Sequence, residues 1–131
     1  MRRRAPAASV PLSFARTPCP IAASLDLLGD RWTLLVVRDA LLFGKTKFAE
    51  FLASGEGIST NLLTERLTRL EDAGILERRL YQRRPSRYEY LPTARGRDLV
   101  PVLAAMVRWA NRHIPGTHTP PPHLKDKLGD A

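Results

Sequence analysis

A mainly α domain with one small β-hairpin, in the order α-α-α-α-β-β-α, is the fold class this sequence predicts. Three observations carry the expectation. Apolar residues recur at helical spacing in successive segments between Pro20 and Ala73. Beyond Gly74 the spacing changes to the alternation of strands, on either side of a bend that holds arginines and Pro85. Helical spacing then returns from Thr93 to Ile114. A turn between the third and fourth helices, followed by a hairpin, is the plan of a winged helix, a variant of the helix-turn-helix.

Each element has a local reason. Pro20 suits the first position of a helix, with Cys19 as its cap, and Ile21, Leu25 and Leu28 make its stripe before Gly29. Asp30 caps the second helix, Arg31 to about Phe43. Trp32, Leu35, Val36 and Leu42 form one face, while Leu34, Val37 and Leu41 make it apolar nearly all round, as suits a central helix. Lys47 to Ala53 forms a short third helix with Phe48, Phe51 and Leu52 inward. Ser59 caps the fourth, Thr60 to Ala73, which Gly74 stops. Its leucines, Leu62, Leu63, Leu67 and Leu70, share a side with Ala73; Asn61, Thr64, Glu65, Thr68 and Asp72 lie opposite, with Arg69 at the edge. Strands run from Ile75 to Tyr81 and from Arg87 to Leu91. One long helix then spans about Thr93 to Ile114. Leu99, Leu103, Met106 and Ala110 stand at core spacing, and Val102, Trp109 and His113 form an adjoining strip.

The 131 residues divide into a basic flexible arm (1–18), a winged-helix body (19–114) and a Pro-rich flexible tail (115–131) whose prolines forbid a continuing helix. Cys19 is the single cysteine, so no intramolecular disulfide forms and a reducing cytoplasm is the expected setting. No apolar run reaches the roughly 20 residues of a membrane span. The net charge of +8 is uneven: residues 1–18 carry four arginines and 78–87 five, neither with an acid. A basic hairpin beside a helix with one polar face points to duplex DNA, the helix in the major groove and the ribbon along phosphates.

From Cys19 to Ile114 the chain closely resembles the HxlR-type family of bacterial winged-helix regulators. The resemblance rests on Cys19-Pro20, Gly29-Asp30-Arg31-Trp32 before Leu34-Leu35, Phe48 with Phe51-Leu52, and Ile58-Ser59. It continues through Leu62-Leu63-Thr64, Leu67, Leu70-Glu71, Gly74-Ile75-Leu76, Arg87-Tyr88-Glu89-Tyr90 and Thr93-Ala94-Arg95-Gly96. It implies a cytoplasmic transcriptional regulator that is a homodimer, joined through its first and last helices and bound to an inverted-repeat operator. That arrangement puts Ile21, Leu25, Val102, Met106, Trp109 and His113 at the subunit interface, and the last four also offer more apolar surface than a small monomer should expose. Some members of the similar family sense oxidants, quinones or aldehydes through a cysteine at the place of Cys19. A thiol at a helix start is made more reactive by the positive end of the helix dipole. A redox or small-molecule effector is therefore expected, with a half-buried structural thiol as the plain alternative.

For the DNA contact, Ser59, Thr60 and Asn61 stand at the groove entrance. Asn61 suits adenine, Thr64 a thymine methyl, and Arg69 a guanine or phosphate. Glu65 and Thr68 share this face, and Arg66 borders the buried strip, where a structural role is expected. Arg83, Arg84 and Arg87 would meet the backbone or minor groove, whereas Arg78 and Arg79 suit a solvated surface. His113, His118 and His123 lack metal-ligand spacing, no nucleophile–base pair or phosphate loop stands out, and neither enzyme activity nor a cofactor is expected. A protein-interaction module built on the same fold is the alternative. RNA binding is weaker, because Tyr81, Tyr88 and Tyr90 read as ordinary sheet residues.

Overall fold

The computed structural model describes residues 11–129. Its elements are α1 (Pro20–Leu28), α2 (Thr33–Leu42), α3 (Phe48–Leu52), α4 (Thr60–Asp72), β1 (Leu76–Arg83), β2 (Ser86–Pro92), α5 (Ala94–Arg97), α6 (Val100–His113) and α7 (Pro122–Leu128). The winged helix-turn-helix expected from the sequence is present. None of the helices is long and apolar enough to cross a membrane among the described residues.

The core forms around α2, which packs against α4, β2, α5 and α6. Val36, Val37, Ala40, Leu41 and Leu42 are buried from it, which accounts for its nearly all-round apolar character. Phe51, Leu63, Leu67 and Leu70 meet them from α3 and α4, and Ile75 and Leu76 continue the core into the hairpin. Asp39, buried on α2, is held by Arg38 at 2.9 Å and Lys45 at 3.6 Å; Arg38 also reaches Glu56 at 2.9 Å. That cluster fixes the end of α2 to the turn entering α4.

β1 and β2 pair antiparallel from Leu76↔Pro92 to Arg83↔Ser86, with an irregularity between Leu80 and Gln82. The strands run further toward the bend than the sequence suggested, because Gln82 Nε2 donates to the carbonyls of Arg84 and Pro85, each at 3.3 Å, and ties the tip together. A short extra pairing joins the base of the wing to the start of α3: Lys47 bridges Glu89, and the Tyr90 N–H donates to the Thr46 carbonyl at 2.7 Å.

Two expectations are corrected. The single helix over Thr93–Ile114 is broken into α5 and α6 by a turn at Asp98 and Leu99. Pro101 sits in the first turn of α6, where its missing N–H costs nothing, but within a continuous helix it would leave the Arg97 carbonyl without a donor. The break also moves the core strip: Leu103 and Ala104 are buried, while Met106 is 52 % exposed. The second correction concerns the tail. Pro121 and Pro122 do not prolong an extended segment; they start α7, whose Leu124 and Leu128, one turn apart, are buried with the core beside α6. Prolines end α6 yet suit the first turn of a new helix, and that distinction the composition of the tail concealed.

The expected flexible arm falls partly outside the described residues. Where it is described, Arg16 Nε donates to Asp26 of α1 at 3.0 Å, and Leu12 and Phe14 line a groove with Leu27, Ile75 and Leu99.

Candidate nucleic-acid interface

The outward face of α4 is set by what holds its two ends. At the start, Ser59 Oγ accepts from the Leu62 N–H at 3.2 Å. At the finish, Gly74 takes a φ of +72°, which lets the chain turn directly into β1 without strain on a side chain. The segment Thr93–Gly96 then locks this corner. Thr93 Oγ1 donates to the Gly74 carbonyl at 2.5 Å and accepts from the Gly96 N–H at 3.1 Å; an Arg95 guanidinium nitrogen donates to the Ala73 carbonyl at 2.8 Å. Gly96 lies so near the Ile75 carbonyl that a Cβ would stand 2.2 Å from its oxygen. The end of α4, the root of the wing and the start of α5 are thereby one joint.

With Leu63, Leu67 and Leu70 buried and Leu62 half-buried, α4 leaves Ser59, Thr60, Asn61, Thr64, Glu65 and Thr68 exposed. Their freedom differs. Asn61 has no intramolecular partner among the described residues, so its carboxamide can offer both donor and acceptor to a base edge. Thr64 and Thr68 each donate to the carbonyl one turn back, Thr60 and Thr64 respectively, at 2.9 Å. Their hydroxyl protons are engaged, leaving lone pairs and methyl groups for an incoming ligand. Ser59 is occupied in capping.

Charge on this helix is organised around Asp30, which the sequence pattern marks only as a helix cap. Asp30 accepts from the Trp32 and Thr33 amides at 3.1 and 3.3 Å and from the Thr33 hydroxyl. It also receives Arg66 Nε at 2.7 Å and Arg69 at 3.4 Å. Glu65 pairs with Arg66 and, at 3.2 Å, with Arg69. Partial burial opposes the charged form of Asp30, but the hydrogen bonds from Thr33, Arg66 and the Trp32 amide outweigh it and hold its pKa well below the usual carboxylate range. Arg66 is thus a tie between α2 and α4, its side chain only 12 % exposed. Arg69, expected to point at DNA, is half-buried in the same network, and Glu65 has its charge met within the protein. The signal for this tie was in the sequence as Gly29-Asp30-Arg31-Trp32, though its partner lay in a different helix.

On the wing the arginines divide. Arg79 pairs with Glu89 across the ladder at 2.9 Å, and Arg78 reaches Glu71 at 3.6 Å while lying over the Tyr88 ring at 4.3 Å. Arg83, Arg84 and Arg87 are exposed at the tip, with no carboxylate partner among the described residues. Lys47, expected as the first residue of the third helix, adds a cation near the wing, 4.8 Å from the Tyr81 ring centre.

Away from this surface, Ile21 and Leu25 of α1 are 73 % and 59 % exposed, and Val102, Met106 and Trp109 of α6 are exposed as well. His113 stacks at a tilt on Trp109, ring centres 5.1 Å apart. Cys19 is exposed at the cap of α1. Trp32 packs against the core, and the crevice beside it holds about 10 Å³, too little for an effector.

Comparison with known proteins gives the family and supports the winged helix-turn-helix fold. The family model described as HxlR-like helix-turn-helix matches residues 27–118. An uncharacterised HTH-type transcriptional regulator of Mycobacterium tuberculosis is 36 % identical over 105 residues, 80 % of this chain and 65 % of its own length. The chain therefore spans slightly under two thirds of that relative. Among solved structures, the reduced form of the transcriptional regulator YodB from Bacillus subtilis aligns with a TM-score of 0.63 and 31 % identity, over 78 % of this chain and all (100 %) of that one. The redox regulator HypR in its reduced form aligns at 0.62 and 34 %, covering 72 % and 95 %.

Proposed function

Because this chain belongs to the HxlR-like helix-turn-helix family of transcriptional regulators, we propose that it binds an inverted repeat in double-stranded DNA as a homodimer. Each subunit lays the exposed face of α4 in a major groove and the tip of its wing on the flanking backbone. The carrying observation is the combination on one molecule of an unpartnered Asn61 at the open end of α4 and three exposed tip arginines, Arg83, Arg84 and Arg87, that no described carboxylate neutralises. Thr60 and Ser59 amides at the helix start suit a phosphate, and Thr64 and Thr68 offer methyl groups and acceptors. Arg69 and Glu65 act as a pair: Arg69 reaches a base only by exchanging carboxylate contacts for it.

Dimerisation through α1 and α6 explains why Ile21, Leu25, Val102, Met106, Trp109 and His113 remain on the surface. Asn61→Ala tests the reading role. A bidentate contact to adenine contributes about 1–3 kcal/mol of discrimination, so preference for the operator over random duplex should fall roughly tenfold or more, with the salt dependence unchanged. Fluorescence anisotropy at several salt concentrations measures both. An unaltered preference removes Asn61 from the readout.

A redox or small-molecule signal is part of the proposal. Exposed Cys19 sits at the start of a dimer helix, and the similar proteins YodB and HypR have been solved in diamide-treated and oxidised forms respectively. With a single cysteine per chain, a disulfide formed from Cys19 must join two chains or take up a small thiol. Diamide should change operator affinity severalfold in the wild type and leave Cys19→Ser untouched; equal affinity in all four samples would assign Cys19 a structural role.

A further inference from the structure

We propose that the cleft between α6 and α7 binds a small phosphorylated molecule. The space measures about 580 Å³, within the range of small-molecule sites. Arg108 and Arg112 of α6 and Lys125 of α7 line it, together with Thr119, Pro120 and the buried Leu128. Arg108 and Arg112 stand one turn apart, a spacing at which like charges repel. No carboxylate pairs with either of them or with Lys125 among the described residues, and Asp126, the acid of α7, is not part of the lining. Arg112 lies in the last turn of α6, where the helix dipole favours a cation. Arg108, one turn earlier, has no such reason to be there.

The connection between the helices is built rather than loose. Asn111 Nδ2 donates to Thr117 Oγ1 at 2.9 Å and to the His118 carbonyl at 3.0 Å, and Thr117 Oγ1 donates to the Ile114 carbonyl at 3.1 Å. These bonds fold residues 114–118 back along α6, so that α7 returns and brings Lys125 to the arginines. Three cations drawn from two helices suit a doubly charged phosphate monoester better than a single carboxylate, and guanidinium forks match phosphate oxygens two at a time. The apolar side of Leu128 and Pro120 leaves room for the organic part of such a ligand. A DNA backbone is the other source of phosphate, but these cations line a recess with walls from several segments, whereas the wing offers its arginines on a projecting tip.

The test is nitrogen-labelled NMR of the full chain, without DNA, titrated with adenosine monophosphate, inorganic pyrophosphate and, as an ionic-strength control, sodium chloride. Shifts confined to residues 108–129 that saturate in the micromolar to low millimolar range are expected for the phosphates and not for chloride. Arg108→Ala and Lys125→Ala should each weaken binding at least fivefold while leaving the thermal midpoint and operator affinity as in the wild type. Spectra unmoved by either phosphate, or shifts that survive both substitutions, would overturn the site. If instead the two variants weaken binding to duplex DNA and the small phosphates do not bind, the cations belong to the DNA contact and the proposal is wrong.

Discussion

Asp30→Ala is expected to lower the stability of the domain by about 2–3 kcal/mol, the largest single-residue loss outside the leucine core. One carboxylate closes the first turn of α2 and anchors α4 through Arg66. Loss of a cap costs about 1 kcal/mol, and removing the partner of a largely buried cation adds to it. Urea unfolding reads the change; a shift below about 0.5 kcal/mol would be that of an ordinary surface substitution and would contradict the anchoring role. Asp30→Asn, which keeps acceptors for the amides but not the charge, should fall between. The same carboxylate sets a direction with pH. Its pKa is depressed in the folded protein, so its contribution is complete above the ordinary aspartate value of about 3.9 and is lost as pH falls from there toward the folded value. The wild type should therefore lose stability more steeply than Asp30→Asn on acidification below about pH 4.

Removing Arg83, Arg84 and Arg87 together should lower DNA affinity on the order of 100-fold, since each hydrogen bond to a charged group contributes about 1 kcal/mol or more. The loss should be the same for operator and random duplex. The slope of log affinity against log salt should become shallower by about 0.9 for each lost phosphate contact. Arg84→Ala alone should show one such step. The paired arginines provide the contrast: Arg79→Ala breaks a cross-strand bridge to Glu89 and should leave the slope nearly unaltered. Loss of sequence preference with an unchanged slope would place the tip arginines on bases rather than phosphates.

Much of the fold was legible because its periods were strong. Leu63, Leu67 and Leu70 mark one buried side of α4, and Gly74 marks its end, so the helix and its free face followed directly. The split of the last helix was written at Pro101, but a proline two residues into a helix and a proline that breaks one look alike until the start is known. α7 was hidden for a similar reason: Pro120, Pro121 and Pro122 signal extended chain by composition, and only Leu124 and Leu128 finding a surface on α6 makes a helix worthwhile. In the site, exposed positions could be named from spacing, but their commitments could not. Arg69 and Glu65 belong to a network centred on Asp30, 35 or more positions earlier in the chain; no local pattern reveals a pair across that distance. Strand register sets Arg79 opposite Glu89, and the end of α4 brings Glu71 to Arg78, while Arg83, Arg84 and Arg87 stay open at the tip.

Hydroxyl-radical and methylation footprinting of the wild-type protein on its operator tests the central claim most directly. The account predicts two protected half-sites related by symmetry, centred about one helical turn (roughly 34–36 Å) apart, with guanine N7 in the major groove shielded from methylation and sugar protection extending outward under the wings. A single unrepeated footprint, or protection confined to the minor groove, would contradict the placement of α4 as the reading element of a symmetric pair.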